Sequence, residues 1–221
     1  KEAGVNRFIY ASSSSVYGIK DEPNVTEELE LNPLTQYSKL KVEIEKYLLS
    51  KIDNKFKGVV LRPSTVCGYS PRQRLDVVVN ILTNFAVNKG RIRVFGGEQL
   101  RPNIHIKDMV GVYEVLLESP IDKINKKIYN AGYENLKVIE IANLVKEVVG
   151  DVEVEIVETD DLRSYHINSE KIKRELGFES KYKVKDAIIE LKSAFGTKIK
   201  NVDDEKYFNV KVMKKIMEND N

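Results

Sequence analysis

An α/β fold built on a parallel sheet is predicted by three stretches near the start of the chain. RFIYAS (7–12) is a short run rich in aromatic and β-branched residues, which suits a strand buried on both faces. From Pro33 onward TQYSKLKVEIEKYLLSKI carries Leu40, Ile44, Tyr47 and Leu48 at helical spacing. KGVVLRPSTV (57–66) is a second apolar run, stopped by Pro63. Strand, helix, strand in that order makes a βαβ unit with a right-handed crossover.

The remaining elements follow from the same periodicities. IKDEPNVTEELELNP (19–33) has the Pro, Asn and acidic content of a surface connection. RLDVVVNILTNFAVNKG (74–90) is predicted as a helix with Leu75, Val78, Val79, Leu82, Phe85 and Ala86 on one stripe and Gly90 as its cap. RIRVFGG (91–97) reads as a strand and turn, and 101–119 as a short strand leading into a helix. KIYNAGY (127–133) is a strand, 137–150 a helix closed by glycine, and VEVEIVE (152–158) a half-exposed strand. Helices are expected at 169–177, with Ser169 as N-cap, and at 184–195. The charged, weakly periodic residues 196–221 carry no structural expectation.

Composition narrows the function. The 221 residues are 42% hydrophobic and 32% charged, enough for one substantial core and a smaller second one. Thirty-six Lys and Arg against 34 Asp and Glu leave +2, spread along the chain, so no nucleic-acid partner is expected. No apolar run approaches the ~18 residues of a membrane span, and KEAGVNRF lacks a signal-peptide pattern. A cytoplasmic protein without a membrane partner is the expectation. Cys67 is the single cysteine, and His105 and His166 lie far apart, so neither a disulfide nor a metal site is expected. Cys67 reads as a packed small hydrophobe and His105 as a hydrogen-bonded structural residue. The chain does not begin with Met and opens on what reads as the end of a helix, so an N-terminal truncation is expected.

FIYASSSSVYG (8–18) ends its apolar run on four serines, a wall of donors and acceptors facing something polar. Tyr37 and Lys41 lie four apart and project from one helix face. An ammonium beside a phenol favours phenolate and makes a general acid/base usable near neutral pH. By itself the pair is a weak signal and reads more readily as a half-buried Tyr beside a solvated Lys.

The stretches ASSSSVYG, NPLTQYSKLKVE, LRPSTVCG, RPNIHIKDM, YNAG and DDLRSYHINSEKIKRELGF, in this order, resemble the extended branch of the short-chain dehydrogenase/reductase superfamily. More narrowly they are similar to the NAD-dependent epimerase/dehydratase family acting on nucleotide sugars, over residues 1 to about 195. The resemblance implies the C-terminal part of a Rossmann-type doubly wound parallel sheet, plus a smaller α/β substrate-binding domain. Residues 1–66 and 101–132 would belong to the first, 67–100 and 133–195 to the second, with 196–221 as a tail. It implies Ser13, Tyr37 and Lys41 as catalytic residues. Tyr37 would take the proton of a sugar hydroxyl that Ser13 polarises, and Lys41 would hold the nicotinamide ribose. Pro63, Ser64 and Val66 would join Tyr37 and Lys41 against the cofactor, NAD or alternatively NADP. Ser14, Ser15, Arg72, Arg74, Arg101 and Arg163 would bind a nucleotide-diphosphate sugar, the arginines through their forked donors. Asn80 stays open between substrate contact and a solvated polar face. A homodimer through the Tyr37 helix and the helix around 107–119 is implied too.

Two departures shape the expected reaction. The family's Gly-x-x-Gly-x-x-Gly phosphate loop and its acidic ribose ligand are absent from these residues. The chain by itself is therefore expected to bind dinucleotide weakly and to leave a sheet edge prone to association. Ser14 and Ser15 stand where family dehydratases carry Asp-Glu, which disfavours elimination of water. A 4-epimerase comes first, then a nucleotide-sugar 4-dehydrogenase or ketoreductase. A noncatalytic nucleotide-sugar-binding scaffold is third, because binding alone does not need all of Ser13, Tyr37 and Lys41.

Overall fold

The computed structural model describes residues 1–159 and 164–219 and places them in a mixed α/β fold with parallel sheets. The first sheet has the order β1 (Arg7–Ala11), β2 (Lys57–Pro63), β6 (Ile128–Ala131), all parallel. Tyr10 lies opposite Val60, and Leu61 opposite Tyr129. The apolar run of β2 is covered on both faces, as a central parallel strand requires. Val59 and Leu61 pack with Met109, Val112 and Leu116 of α3 (Ile106–Glu118), while Val60 packs with Leu48 of α1 (Gln36–Lys51) and with Ile52 and Phe56. Alternate strand residues point to opposite faces, so α1 and α3 lie on opposite sides of this sheet. That corrects the expected dimer surface: α1 and α3 do not form one continuous patch, and their exposed apolar residues, Leu40 and Tyr47 on α1 and Val110 and Leu117 on α3, face different ways. Among the described residues β1 pairs only with β2, and Val5 and Phe8 are exposed beside its other edge.

The second sheet joins β3 (Thr65–Cys67) in parallel to β5 (Leu100–His105), and β5 in antiparallel to β7 (Glu134–Lys137). The sequence reading grouped β5 with the first domain, whereas its ladder belongs to this sheet. β4 (Arg91–Phe95) and β8 (Glu153–Val157) form a parallel pair. Their alternation is visible in burial, since Ile92 and Val94 are buried between exposed Arg91 and Arg93. Against these strands pack α2 (Val78–Lys89), α5 (Val138–Val149) and α7 (Val184–Ala194) around Leu82, Ile141, Val145 and Ile188. Two short helices, α4 (Ile121–Ile124) and α6 (Glu170–Leu176), complete the body, and no described helix is long and apolar enough to cross a membrane.

Local chemistry sets the helix ends. α1 starts at Gln36 rather than Pro33 because Thr35 and Ser38 cap each other, each side chain accepting the other's backbone N–H. Its buried stripe is Ser38, Val42, Glu45 and Leu48, whereas Leu40 and Tyr47 are exposed. Glu45 turns inward because its charge partner waits in the sheet. α2 starts at Val78, later than expected, because the preceding loop is held by side chains: Asn80 donates to the Arg74 carbonyl and Gln73 to that of Gly68. Gly90 closes it with φ 65°, as expected. Ser169 precedes α6 without capping it by its side chain; its hydroxyl exchanges hydrogen bonds with the backbone of Gly132. Residues after Gly196, which carried no expectation, are anchored: Ile199 and Tyr207 are buried with Leu75 and Leu191, and α8 (Asn209–Asn219) follows.

Gly132 ends β6 where three segments converge. A Cβ there would lie 2.6 Å from Ser64 Cβ and 2.8 Å from Ile167 Cδ1. Gly132→Ala is expected to lower folding stability by about 1–3 kcal/mol in a denaturant titration.

Candidate active site

β1 delivers its four serines to the C-terminal ends of the parallel strands, where ligands of such sheets bind. They divide the work. Ser12 is buried, its N–H continuing the ladder to the Leu61 carbonyl at 2.7 Å and its hydroxyl donating to Glu45 Oε1. Ser13 opens a single 3-10 turn over 14–17, its Oγ accepting from Ser15 N at 3.2 Å and lying 2.9 Å from Ser15 Oγ. Ser14 is buried; Ser15 pairs with Ser13. Gly18 ends the turn with φ 68°, and a Cβ there would stand 2.0 Å from the Asn32 carbonyl, so only glycine fits.

α1 sets Tyr37 and Lys41 beside this strand end. Lys41 Nζ donates to the Ala11 carbonyl at 2.7 Å and lies 5.5 Å from the Tyr37 ring centroid and 5.0 Å from that of Tyr10. Burial holds Lys41 below the ordinary lysine pKa, and the charge of Glu45 opposes that fall. Tyr37 is 58% exposed and open to an incoming ligand.

Behind them lies a polar network that the sequence reading missed. Arg62 and Glu45 are both 3% exposed. The guanidinium grips the carboxylate as a fork, Nε to Oε1 at 3.1 Å and Nη2 to Oε2 at 2.7 Å. Arg62 Nη1 also donates to Tyr17 Oη at 2.9 Å, and Tyr17 Oη donates to Asn130 Oδ1 at 2.7 Å. Burial pushes the Tyr17 phenol up to about 12, against the pull of Arg62. The signal was available: Arg62 is a charge inside an apolar strand, and Glu45 follows Lys41 by one helical turn.

The other expected contacts divide. Pro63 ends β2 half-buried, and Val66 packs half-buried against the core under the first sheet. Ser64 is buried beside Gly132, its hydroxyl without a hydrogen-bond partner among the described residues. Arg72 is corrected: its guanidinium is spent on the carbonyls of Gln73 and Lys206 and on Asn209 Oδ1, tying down the C-terminal segment. Arg74 pairs with Asp76 at 2.9 Å. Asn80 is buried, with Oδ1 accepting from Gly68 N and Nδ2 donating to the Arg74 carbonyl, and it faces neither substrate nor solvent. Arg101 donates to the Leu100 carbonyl at 2.9 Å, and its guanidinium stands 5.5 Å from the Tyr165 ring centroid. Arg163 lies outside the described residues, but Ser164 and Tyr165 after it hydrogen-bond to both backbone groups of Leu100. His105 caps α3 through Nδ1 and stacks on Tyr182, and Cys67 is buried with its thiol pushed up to about 12, both structural as expected. The described residues hold no group of His, Cys, Asp and Glu fit for a metal. A cleft of about 550 Å³ between Tyr69, α3 and Tyr182 is lined by none of the expected site residues.

Residues 1–132 match the NAD dependent epimerase/dehydratase family. The chain belongs to this family. It is 32% identical over 154 residues to a protein of Bacillus subtilis described as an uncharacterized UDP-glucose epimerase, matching 68% of this chain and 47% of the relative. The fold is similar to the UDP-glucose 4-epimerase of Thermotoga maritima with UDP-glucose (TM-score 0.77, 25% identity, 90% of this chain, 66% of that one). It is similar also to the UDP-glucuronic acid 4-epimerase of Bacillus cereus in complex with UDP-glucuronic acid and NAD (TM-score 0.75, 25% identity, 85% and 60%). The chain thus spans about half the length of that first curated relative.

The Arg72 contacts generate a test of the corrected reading. Arg72→Ala is expected to speed amide exchange across 205–219 about tenfold, with β1 and β2 unchanged, for the loss of roughly 1.4 kcal/mol of hydrogen bonding.

Proposed function

We propose that this chain is the catalytic and sugar-binding part of an NAD-dependent nucleotide-sugar 4-epimerase. The observation that carries the reading is the placement of the Lys41 ammonium, bound to the Ala11 carbonyl at the end of β1, two residues before Ser13, and standing over the Tyr37 ring. One ammonium hydrogen is committed to the Ala11 carbonyl, which leaves two for the hydroxyls of a nicotinamide ribose. Exposed Tyr37 and the open C-terminal ends of β1 and β2 fit the nicotinamide end of NAD. Bound NAD supplies a reversible acceptor for hydride from a sugar carbon.

The protein's own residues then handle the proton. Ser13 Oγ, already oriented by Ser15, donates to or accepts from the reacting sugar oxygen. Tyr37, starting as the phenolate, takes the hydroxyl proton as the carbon is oxidised, holds it as the neutral phenol and returns it on reduction; the Lys41 charge stabilises the phenolate before the first step and after the second. Arg101 meets the diphosphate, with Arg163 as a second cation from the adjoining segment. Epimerisation needs no further acid or base, and buried Ser14 and paired Ser15 supply no carboxylate for elimination, which supports a 4-epimerase over a dehydratase. The exposed Leu40 and Tyr47 of α1 suit a homodimer contact.

In the full-length protein loaded with NAD, Tyr37→Phe is expected to lower kcat on UDP-glucose about 10²–10⁴-fold. The Kd for the nucleotide sugar should change far less than kcat, because an interaction that acts in the transition state lowers turnover without weakening ground-state binding. Turnover near the unaltered rate would contradict the assignment.

A further inference from the structure

We propose that Glu45 is a positioning residue for this site: its carboxylate, locked by Arg62, ties the strand end bearing Ser13 to the helix bearing Tyr37 and Lys41, and supplies the counter-charge for the Lys41 ammonium. The proposal rests on the epimerase reading for its catalytic half only. It begins from a question of energetics. An ion pair buried to 3% on each side gains little over a well-packed apolar pair, because desolvation offsets the attraction. Stability alone does not explain why a charged pair stands between α1 and β2.

The geometry supplies a reason. Glu45 Oε1 accepts from Ser12 Oγ and from Arg62 Nε, and Oε2 accepts from Arg62 Nη2. One carboxylate therefore joins three backbones, the end of β1, the middle of α1 and β2, and the fork prevents its rotation. Ser12 is covalently next to Ser13. Lys41 is one helical turn from Glu45 and Tyr37 two turns, on the same side of α1. Arg62 is itself held by Tyr17 Oη and the Glu27 carbonyl, and Tyr17 reaches Asn130 on β6, so the clamp is anchored across the whole first sheet. Sliding α1 against the sheet by an ångström would break the fork to β2 and the bond to Ser12 together. A displacement of that size at reacting groups costs about a hundredfold in rate.

Charge makes the second argument. The groups that face Lys41 are the Ala11 carbonyl and the Tyr10 ring from β1, and Tyr37 and Glu45 from its own helix. Burial disfavours the ammonium, and Glu45 is the carboxylate that opposes this. Arg62 holds that carboxylate in place through its forked hydrogen bonds. Loss of Glu45 leaves Lys41 partly desolvated beside an unbalanced guanidinium, and its pKa falls further.

The test compares Glu45→Leu with the double variant Glu45→Leu/Arg62→Met in full-length protein carrying NAD. The single variant is expected to melt lower, because it strands a buried guanidinium, and the double variant to melt near the unaltered protein. The double variant should still show kcat about 10²-fold down with KM within about threefold. NMR titration of labelled lysine, which needs no substrate, should place Lys41 about one pH unit lower in it. Recovery of both kcat and the Lys41 titration together with the melting temperature would make Glu45 a packing residue and overturn the proposal. If the double variant does not fold, Glu45→Gln, which keeps the volume and removes the charge, carries the same titration, and an unmoved Lys41 there overturns it. Absence of turnover in the unaltered protein would refute the epimerase reading, while the lysine titration would still decide the role of Glu45.

Discussion

A guanidinium and a carboxylate face each other in the dry space between one strand and one helix, and the placement of nearly every other group at the site depends on that pair. Arg62 comes from the middle of β2, Glu45 from the buried stripe of α1. Each is too costly to bury alone, about 3–5 kcal/mol for an ion left without its partner. Packing α1 on the sheet in another rotation would leave the Arg62 guanidinium buried without its partner. Register and rotation of the helix are therefore set by charge, with Val42 and Leu48 filling the apolar contacts on either side.

From that registration the chemistry follows. A helix rotated to bury Glu45 also brings Lys41 against the Ala11 carbonyl and leaves Tyr37 at the rim, 58% exposed. The serine hydroxyls are then sorted by what lies beneath them. Ser12 drops into the network, Ser14 is buried by its turn, and the mutually bonded Ser13 and Ser15 are left at the open side. The second sheet contributes through β5, whose Leu100 and Arg101 meet the segment from Ser164 to Ile167.

Much of this was legible in the sequence, for identifiable reasons. Strands β1 and β2 and helices α2, α3 and α5 announced themselves by period, and the spacing of Tyr37 and Lys41 together with the order of motifs pointed to the family. What escaped was governed by partners distant in sequence. The inward rotation of α1 was misread because Leu40 and Tyr47 look like core residues, whereas an ion pair with Arg62 decides which face is buried. Arg72 looked like a phosphate ligand until its partners 134 and 137 residues away, Lys206 and Asn209, were in place. The C-terminal segment gives a weak period because it is held by isolated anchors, Ile199 and Tyr207, rather than by a continuous stripe. Ser64 carries a hydroxyl that local sequence cannot aim, and only the approach of Gly132 shows it to be sealed.

The measurement that bears most directly on this account is the absorbance of reduced nicotinamide when UDP-glucose is added to the full-length protein loaded with NAD, at enzyme concentrations comparable to the cofactor. The account predicts a rise in that band on mixing, held at a steady level while the C4 epimer of the sugar accumulates. An unchanged spectrum and an unchanged sugar, with nucleotide sugar shown to be bound, would contradict it.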